Sequence, residues 1–290
     1  MIITLENAEI SVSFSTKGAE LQSLESKQTG LSYLWNGNPQ FWGKRSPVLF
    51  PIVGGLKDDT YYFEGQSYHL PRHGFARDRE FEAIKISEEE VLFLLKEDEE
   101  SLKVYPFKFQ LGLHYRLTGN TLCCGYEVLN TGDNDLWFSV GGHPAFSLPL
   151  KPTLSYQDYY LQFNKDSELK VHEVFDNLIT DTTETIRLTA AGKLALTHEL
   201  FYKDALVFKN LKSNKIRLKS DKSPHGLDFH FEAFPYFGIW AAKDADFVCL
   251  EPWCGIADPV HHDQQLIHKE GMVNLEPGKD WLRHWEVTCF

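Results

Sequence analysis

Alternation with a period of two runs through consecutive segments of this chain, and it restricts the fold more than any other feature. In Phe109-Gln-Leu111-Gly-Leu113-His-Tyr115-Arg-Leu117 every second residue is apolar. A Thr118-Gly119-Asn120 turn follows, and Leu122, Cys124, Tyr126 and Val128 alternate again. Residues 130–135 (NTGDND) read as the next turn, and Leu136, Phe138 and Val140 as a third run. Side chains on a strand point alternately to opposite faces, so these runs predict half-buried antiparallel strands joined as a meander. Ile10, Val12 and Phe14 repeat the pattern near the start. Further strands are expected over 79–86, 91–95, 204–208, 215–218, 227–231, 237–241, 247–250 and 285–289. Only 190–201 has room for a helical turn or two. No glycine-rich linker, low-complexity tract or internal repeat divides the chain. The expectation is an all-β fold, one large antiparallel sandwich or barrel spanning residues 1–290, with helix below about a fifth of the chain.

Aromatic content supports that reading. The chain holds 21 Phe, 12 Tyr and 7 Trp, against 2 Met, a bias that suits pleated surfaces and aromatic-lined pockets. Acidic residues outnumber basic ones 41 to 29, for a net charge of −12. Such a chain repels phosphate backbones and anionic lipid surfaces, so nucleic-acid and membrane partners are disfavoured. A neutral substrate fits this field more easily than an anionic one, unless a local basic pocket reverses it. Cys123, Cys124, Cys249, Cys254 and Cys289 form neither a disulfide framework nor a zinc pattern. The start MIITLENAEISVSF lacks a basic n-region and a long apolar core, and no stretch approaches ~18 apolar residues. A cytoplasmic location is expected, with the protein a monomer or homodimer.

Four segments interrupt the strand rhythm: Gly43-Lys-Arg45-Ser-Pro-Val-Leu-Phe-Pro-Ile-Val-Gly-Gly55, Pro71-Arg-His73-Gly-Phe-Ala-Arg77-Asp-Arg-Glu-Phe81, Ser139-Val-Gly-Gly-His143-Pro-Ala-Phe146 and Val248-Cys-Leu-Glu251-Pro-Trp-Cys-Gly-Ile-Ala-Asp258. Each sets a titratable residue beside Gly or Pro at an expected strand end. His143 is re-aimed between Gly-Gly and Pro, which biases it towards extended backbone. Glu251 closes the apolar run 247–250, so burial should raise its affinity for protons. Taken singly, each has a plain structural reading: a surface histidine, an edge glutamate, a solvated Arg77-Asp78-Arg79-Glu80 cluster. Taken together and in this order, they point to a site.

The order R…FP, HGFAR, GGHPAF, LEPW resembles the aldose 1-epimerase (galactose mutarotase) superfamily, most closely its LacX-like, galactose mutarotase-related branch. The resemblance runs from the first strands to Glu276-Pro-Gly-Lys279. It implies a β-supersandwich with an open sugar cleft and neither metal nor organic cofactor. It implies His143 as general acid at the sugar ring oxygen and Glu251 as general base at the anomeric hydroxyl. Arg45, His73 and Arg77 would position the sugar, and Asp204 of YKDALVFK is the loose match to an aspartate that contacts ring hydroxyls. The expected reaction interconverts α and β anomers of a free hexose such as galactose or glucose. One acid and one base suffice for it, each contributing ~10²–10⁴-fold. His143 and Glu251 should then face one cleft, several ångströms apart, with a pyranose between them. Trp35, Trp42, Trp240, Trp253 and Phe75 are candidates to stack on it.

Other readings compete. A metal site could draw on His73, His143 and Glu251, or on His261-His262-Asp263, yet no HxH occurs and His225-x4-His230 is wrongly spaced for one strand face. A glycosidase needs a second carboxylate astride the bond. A hexose-6-phosphate 1-epimerase would need extra cations, for which Lys44, Arg45, Arg72 and Arg77 are available; the −12 charge favours the unphosphorylated sugar. A non-catalytic sugar-binding protein would have no need of both His143 and Glu251.

Overall fold

The structure is a computed structural model that describes all 290 residues, Met1–Phe290. Strand makes up 49% of the chain and helix 8%, within the helix limit expected from the alternation. Two antiparallel sheets dominate. The larger has nine strands, in the order Lys193–Ala195, Tyr159–Phe163, Lys215–Ser220, Gly226–His230, Asp280–Cys289, Thr121–Asn130, Phe109–Thr118, Glu90–Lys96, Glu82–Lys85. The second runs Leu178–Arg187, Glu168–Phe175, Leu206–Lys209, Tyr236–Trp240, Phe247–Cys254, Val140–Gly142, Val48–Leu49, with Ala145–Ser147 also paired to Phe247–Cys254. Ile2–Glu6, Ile10–Ser15 and Glu20–Ser26 form a three-stranded sheet beside them.

The first two runs of the expected meander pair as their alternation requires, while the third splits: Leu136–Phe138 pairs with Val273–Leu275, and Val140–Gly142 joins the second large sheet. Phe109–Thr118 pairs with Thr121–Asn130 across Gly119-Asn120, with Leu117 opposite Leu122 and Leu113 opposite Tyr126. In Thr121–Asn130, Leu122, Cys124, Tyr126, Val128 and Asn130 are buried while the residues between them are half-buried. The buried faces of the two large sheets meet in one core. Phe229 of the larger sheet packs at 5.8 Å from Phe146 and 6.2 Å from Phe237 of the smaller. A cluster of 70 buried residues runs from Leu5 to Cys289.

The structure departs from the sequence reading in four further places. Glu168–Phe175 and Leu178–Arg187 form a hairpin that no alternation announced, because Ile179 is the one buried residue in its second strand. That second strand is otherwise exposed or half-buried, so no apolar period is selected in it, and in the first only Leu169 and Val171 are buried. The short α-helix is Glu99–Val104, capped by Asp98 and Ser101 bonding each other's backbone, whereas 190–201 holds the strand Lys193–Ala195 and a 3₁₀ turn at His198–Phe201. The strand expected at 204–208 is Leu206–Lys209, leaving Asp204 in the preceding loop. Finally, the strand containing Glu251 continues through Cys254, so Glu251 sits inside it instead of closing it.

Candidate active site

The strand Phe247–Cys254 is central to its sheet and all eight of its residues are buried. Period two divides them. Val248 and Leu250 join the main core, while Glu251 and Trp253 line a cleft of about 420 Å³ on the other face, within the ~300–1,000 Å³ usual for small-molecule sites. The neighbouring strand Tyr236–Trp240 sets Gly238 opposite Glu251 and Trp240 opposite Cys249. A Cβ on Gly238 would lie 2.5 Å from the Trp253 ring, and one on Gly141 2.6 Å from it. These two glycines make the slot that lets the indole lie flat against the sheet. On the other side of the strand, Gly141 pairs with Trp253, and the chain turns out at His143.

His143 and Glu251 therefore sit on adjacent paired segments, and their side chains touch: Nε2 to Oε2 is 3.3 Å. They are 7% and 1% exposed. The expected gap for a pyranose between them is absent, because neighbouring strands lie only ~4.8 Å apart; a ligand that reaches both must sit over the pair. Trp42 stacks on the His143 ring at 4.8 Å, and Trp240 meets it edge-on at 5.7 Å. Burial pushes the Glu251 carboxyl up to about 8 and the His143 imidazole down to about 3, with the Arg72 charge the next influence on each. A low-dielectric environment disfavours both charged forms. At neutral pH the pair holds one proton, on Glu251.

His73 also reaches this cleft, its ring 5.9 Å from that of His143. Its backbone is left-handed, φ 70°, as is that of Gly74, where a Cβ would strike the Phe50 carbonyl oxygen at 2.4 Å. The His-Gly pair of HGFAR thus exists to fold this turn against the Phe50 strand. The Gly54 N–H donates to His73 Nδ1 at 3.1 Å. Burial holds His73 well below its ordinary range, so it is neutral.

Arg77 and Asp204 line the same cleft as His73, His143 and Glu251. Arg77 Nη2 donates to the Arg72 carbonyl, 2.7 Å, and Asp204 Oδ1 accepts from the Ala205 N–H, 2.7 Å. Arg45 is not among the lining residues. Its guanidinium donates to the Gln22 carbonyl and Oε1 and to the Asn36 carbonyl, at 2.7, 3.0 and 2.7 Å, which turns it into a clamp between the strand Glu20–Ser26 and the loop at Asn36. Three of the five aromatic candidates line the cleft: Trp42, Trp240 and Trp253. Trp35 instead donates its indole N–H to the Trp42 carbonyl, and Phe75 packs on Phe50 and Tyr105. Lys203, Lys243 and Phe201 line it without having been singled out, and so does Arg72, named in the sequence only as a cation available to a phosphorylated sugar. Arg72 had a signal, an arginine adjoining His73; the lysines have none, since only folding brings residues 203 and 243 to residue 73.

A cation could draw ligand atoms from His143, Cys249 and Glu251, which lie within 4.8 Å of one another. Burial pushes the Cys249 thiol well above its ordinary range, opposing the thiolate such a site would need. His73, expected in the competing metal reading, is not in this group. A larger groove of about 450 Å³, between His114, Glu127, Arg283 and Glu286, lies on the outer face of the nine-stranded sheet and has no buried acid–base pair.

An antiparallel supersandwich with a buried histidine–carboxylate pair in a tryptophan-walled cleft falls among the galactose mutarotase-like proteins. The chain belongs to the aldose 1-epimerase family, whose model matches residues 1–287. It is 31% identical to the chromosomally encoded protein LacX of Lactococcus lactis subsp. lactis over 297 residues, covering 99% of each chain. Among solved structures, a galactose mutarotase related enzyme from Lactobacillus acidophilus superposes with a TM-score of 0.95 at 38% identity, over 100% of this chain and 97% of that one. A galactose mutarotase-like protein from Lactobacillus casei ATCC 334 gives 0.93 at 31% identity, over the whole of both chains. No helix is long and apolar enough to cross a membrane.

Proposed function

We propose that the protein is an aldose 1-epimerase, interconverting the α and β anomers of a hexose by proton transfer through His143 and Glu251. The observation that carries this reading is their 3.3 Å contact in a walled cleft. Both oxygens that must exchange protons in a cyclic hemiacetal, the ring oxygen and the anomeric hydroxyl, are borne by the same carbon. A donor and an acceptor side by side can therefore serve both at once.

With His143 at the ring oxygen and Glu251 at the anomeric hydroxyl, ring opening proceeds as follows. His143 gives its proton to the ring oxygen as the electrons of the ring C–O bond pass to that oxygen. Glu251 takes the hydroxyl proton as the carbonyl forms. The aldehyde turns about its bond to the next carbon, and the reverse transfers close the ring on its other face. The open-chain stage needs neutral His143 and protonated Glu251, the state that burial favours in the empty cleft. A cyclic sugar starts one proton transfer away, along the 3.3 Å contact. Trp42, Trp240 and Trp253 offer flat faces to the sugar C–H groups, while Asp204, His73 and Arg77 offer hydroxyl partners. Mutarotation of this kind is complete with side chains alone.

Polarimetry of freshly dissolved α-galactose and α-glucose tests the reading. The protein should accelerate the change in rotation, and Glu251→Gln and His143→Asn should each lower the accelerated rate by ~10²-fold or more, with a much smaller change in KM. Wild-type protein that binds sugar without changing the rate would make it a binding protein on this fold.

A further inference from the structure

The chain is strongly acidic, yet the walls of its cleft are not. Arg72, Arg77, Lys203 and Lys243 all line it, against two carboxylates, Asp204 and Glu251. Arg72, Lys203 and Lys243 form no ion pair. Arg77 has Asp78 at 3.7 Å, and Lys44 holds that carboxylate more closely at 2.9 Å. Neutral sugar hydroxyls do not call for such a surplus. Lys203 and Lys243 are exposed, whereas Arg72 and Arg77 are half-buried and lose part of their hydration, a loss that an anionic ligand compensates.

Arg72 is the best placed of the four. Its Nη1 donates to Asn177 Oδ1 at 2.7 Å. Asn177 is at the tip of the hairpin Glu168–Phe175/Leu178–Arg187, where Asp176 and Asn177 both have positive φ, 49° and 64°. That is the backbone of a two-residue hairpin turn that Asx residues favour. The tip is seated: the Asn177 carbonyl oxygen would lie 2.8 Å from a Cβ on Gly55, so only glycine leaves room for it. The other contact of Arg72 is Nε to His73 Nε2, 3.1 Å. A neutral imidazole accepts at one nitrogen only. The Gly54 N–H faces Nδ1 of the same ring, also at 3.1 Å, so the tautomer of His73 decides which of the two donors the ring accepts. Arg72 is thus anchored at Nη1 on Asn177 and set at Nε against His73, while its Nη2 makes no hydrogen bond within the protein, which leaves guanidinium donors for another acceptor.

We propose that the cleft takes an aldose carrying an anionic substituent, a phosphate ester or a carboxylate, with Arg72 receiving the charge and Asn177 positioning Arg72. This rests on the epimerase reading above for the word aldose. Carbon 1 must stay free to open, so the charge lies elsewhere on the sugar; position 6 can carry either group without blocking carbon 1. The net charge of −12 bears on the far field, which salt screens within about 8–10 Å. Local cations decide binding inside the cleft.

Isothermal titration calorimetry on the full chain, which requires no turnover, tests this with glucose, galactose, their 6-phosphates, glucuronate and galacturonate. At least one charged sugar should bind ~10-fold or more tightly than its neutral parent, the scale of one charge-assisted hydrogen bond. Preference for the 6-phosphate or for the uronate identifies which anion is meant. Arg72→Gln should reduce affinity for that sugar ~10-fold more than for the parent, Arg72→Lys should retain part of the preference, and Asn177→Ala should lose part of it. Melting curves show that each variant is folded. Neutral sugars bound as tightly as charged ones, equal losses for both in Arg72→Gln, or no binding by any of the six overturns the proposal. Polarimetry on the same samples separates the two readings. Anionic preference without rate acceleration removes the epimerase and keeps the anion site, and acceleration of neutral sugars without that preference does the reverse.

Discussion

Glu251 and His143 owe their protonation to where the strand register puts them, and this has a consequence for stability. In the unfolded chain a glutamate loses its proton near the ordinary ~4.3; in the fold, burial raises that to about 8. A raised carboxyl binds more protons folded than unfolded between those values, so its contribution is full at low pH and is lost as pH rises through about 8. Glu251→Gln removes the term. Chemical denaturation should show the variant gaining on wild type by up to about 1.4 kcal/mol per pH unit between pH 5 and 8; parallel curves would mean that Glu251 is not proton-loaded. His143, held down to about 3 by burial, has the opposite sign: its contribution is full above ~6.5 and is lost as pH falls towards 3. Arg45 separates structure from function at the same scale. Its three guanidinium contacts lie outside the cleft, so Arg45→Ala should cost about 1–3 kcal/mol in a melting experiment and leave KM close to wild type. A large rise in KM without loss of stability would return Arg45 to the sugar.

At the scale of elements, the site depends on the flatness of the pairing between Tyr236–Trp240 and Phe247–Cys254. Trp253 can lie beside Glu251 because Gly238 and Gly141 have no side chains there. Gly238→Ala should destabilise the protein by ~1–3 kcal/mol, the usual cost of overpacking, and weaken sugar binding by displacing the indole. Gly125→Ala is the matched control: its Cβ would meet only ordinary contacts at 3.6 and 3.7 Å and should change neither. If both variants behave alike in calorimetric binding and melting, the slot has no role. The elements also mark what was readable in sequence. Strands with one buried face announced themselves through Leu113, Tyr115, Cys124 and Tyr126. The hairpin that carries Asn177 did not, although its Asp176-Asn177 turn was a usable signal.

At the scale of the whole molecule, a carboxylate in an ion pair with no solvent exposure ties distant parts of the chain together. Lys269 Nζ lies 2.9 Å from Asp258 Oδ1, both side chains 0% exposed. The other Asp258 oxygen accepts the Lys57 N–H at 3.0 Å, and Lys269 also donates to the Ile256 carbonyl at 2.7 Å. The pair joins the segment after Glu251 to the loop that carries Gly54 and Gly55 beneath His73. Asp258→Asn would leave the Lys269 ammonium buried without its counter-charge and should cost about 3–5 kcal/mol by denaturant unfolding. Adding Lys269→Met should recover much of that loss, since removing both charges removes the imbalance. A double variant no more stable than the single one would place the cost in packing.

The sequence by itself determined the sheet-forming runs, the small helical content and the three segments that supply His73, Arg77, His143 and Glu251. All of these follow from local rules: period two for a half-buried strand, and Gly or Pro where the backbone must turn. Folding alone decided the distances. Register between adjacent strands brought His143 against Glu251 where a sugar-sized gap was expected, and hydrogen bonds to Gln22 on its strand and to the loop at Asn36 turned Arg45 out of the cleft. Residues 72, 177, 203 and 243 became neighbours of one cleft only when distant loops closed. Net charge, a sum over residues, says nothing about which of them converge. The electrostatics of a site depend on separations of a few ångströms in a low-dielectric wall, and those separations belong to the tertiary structure.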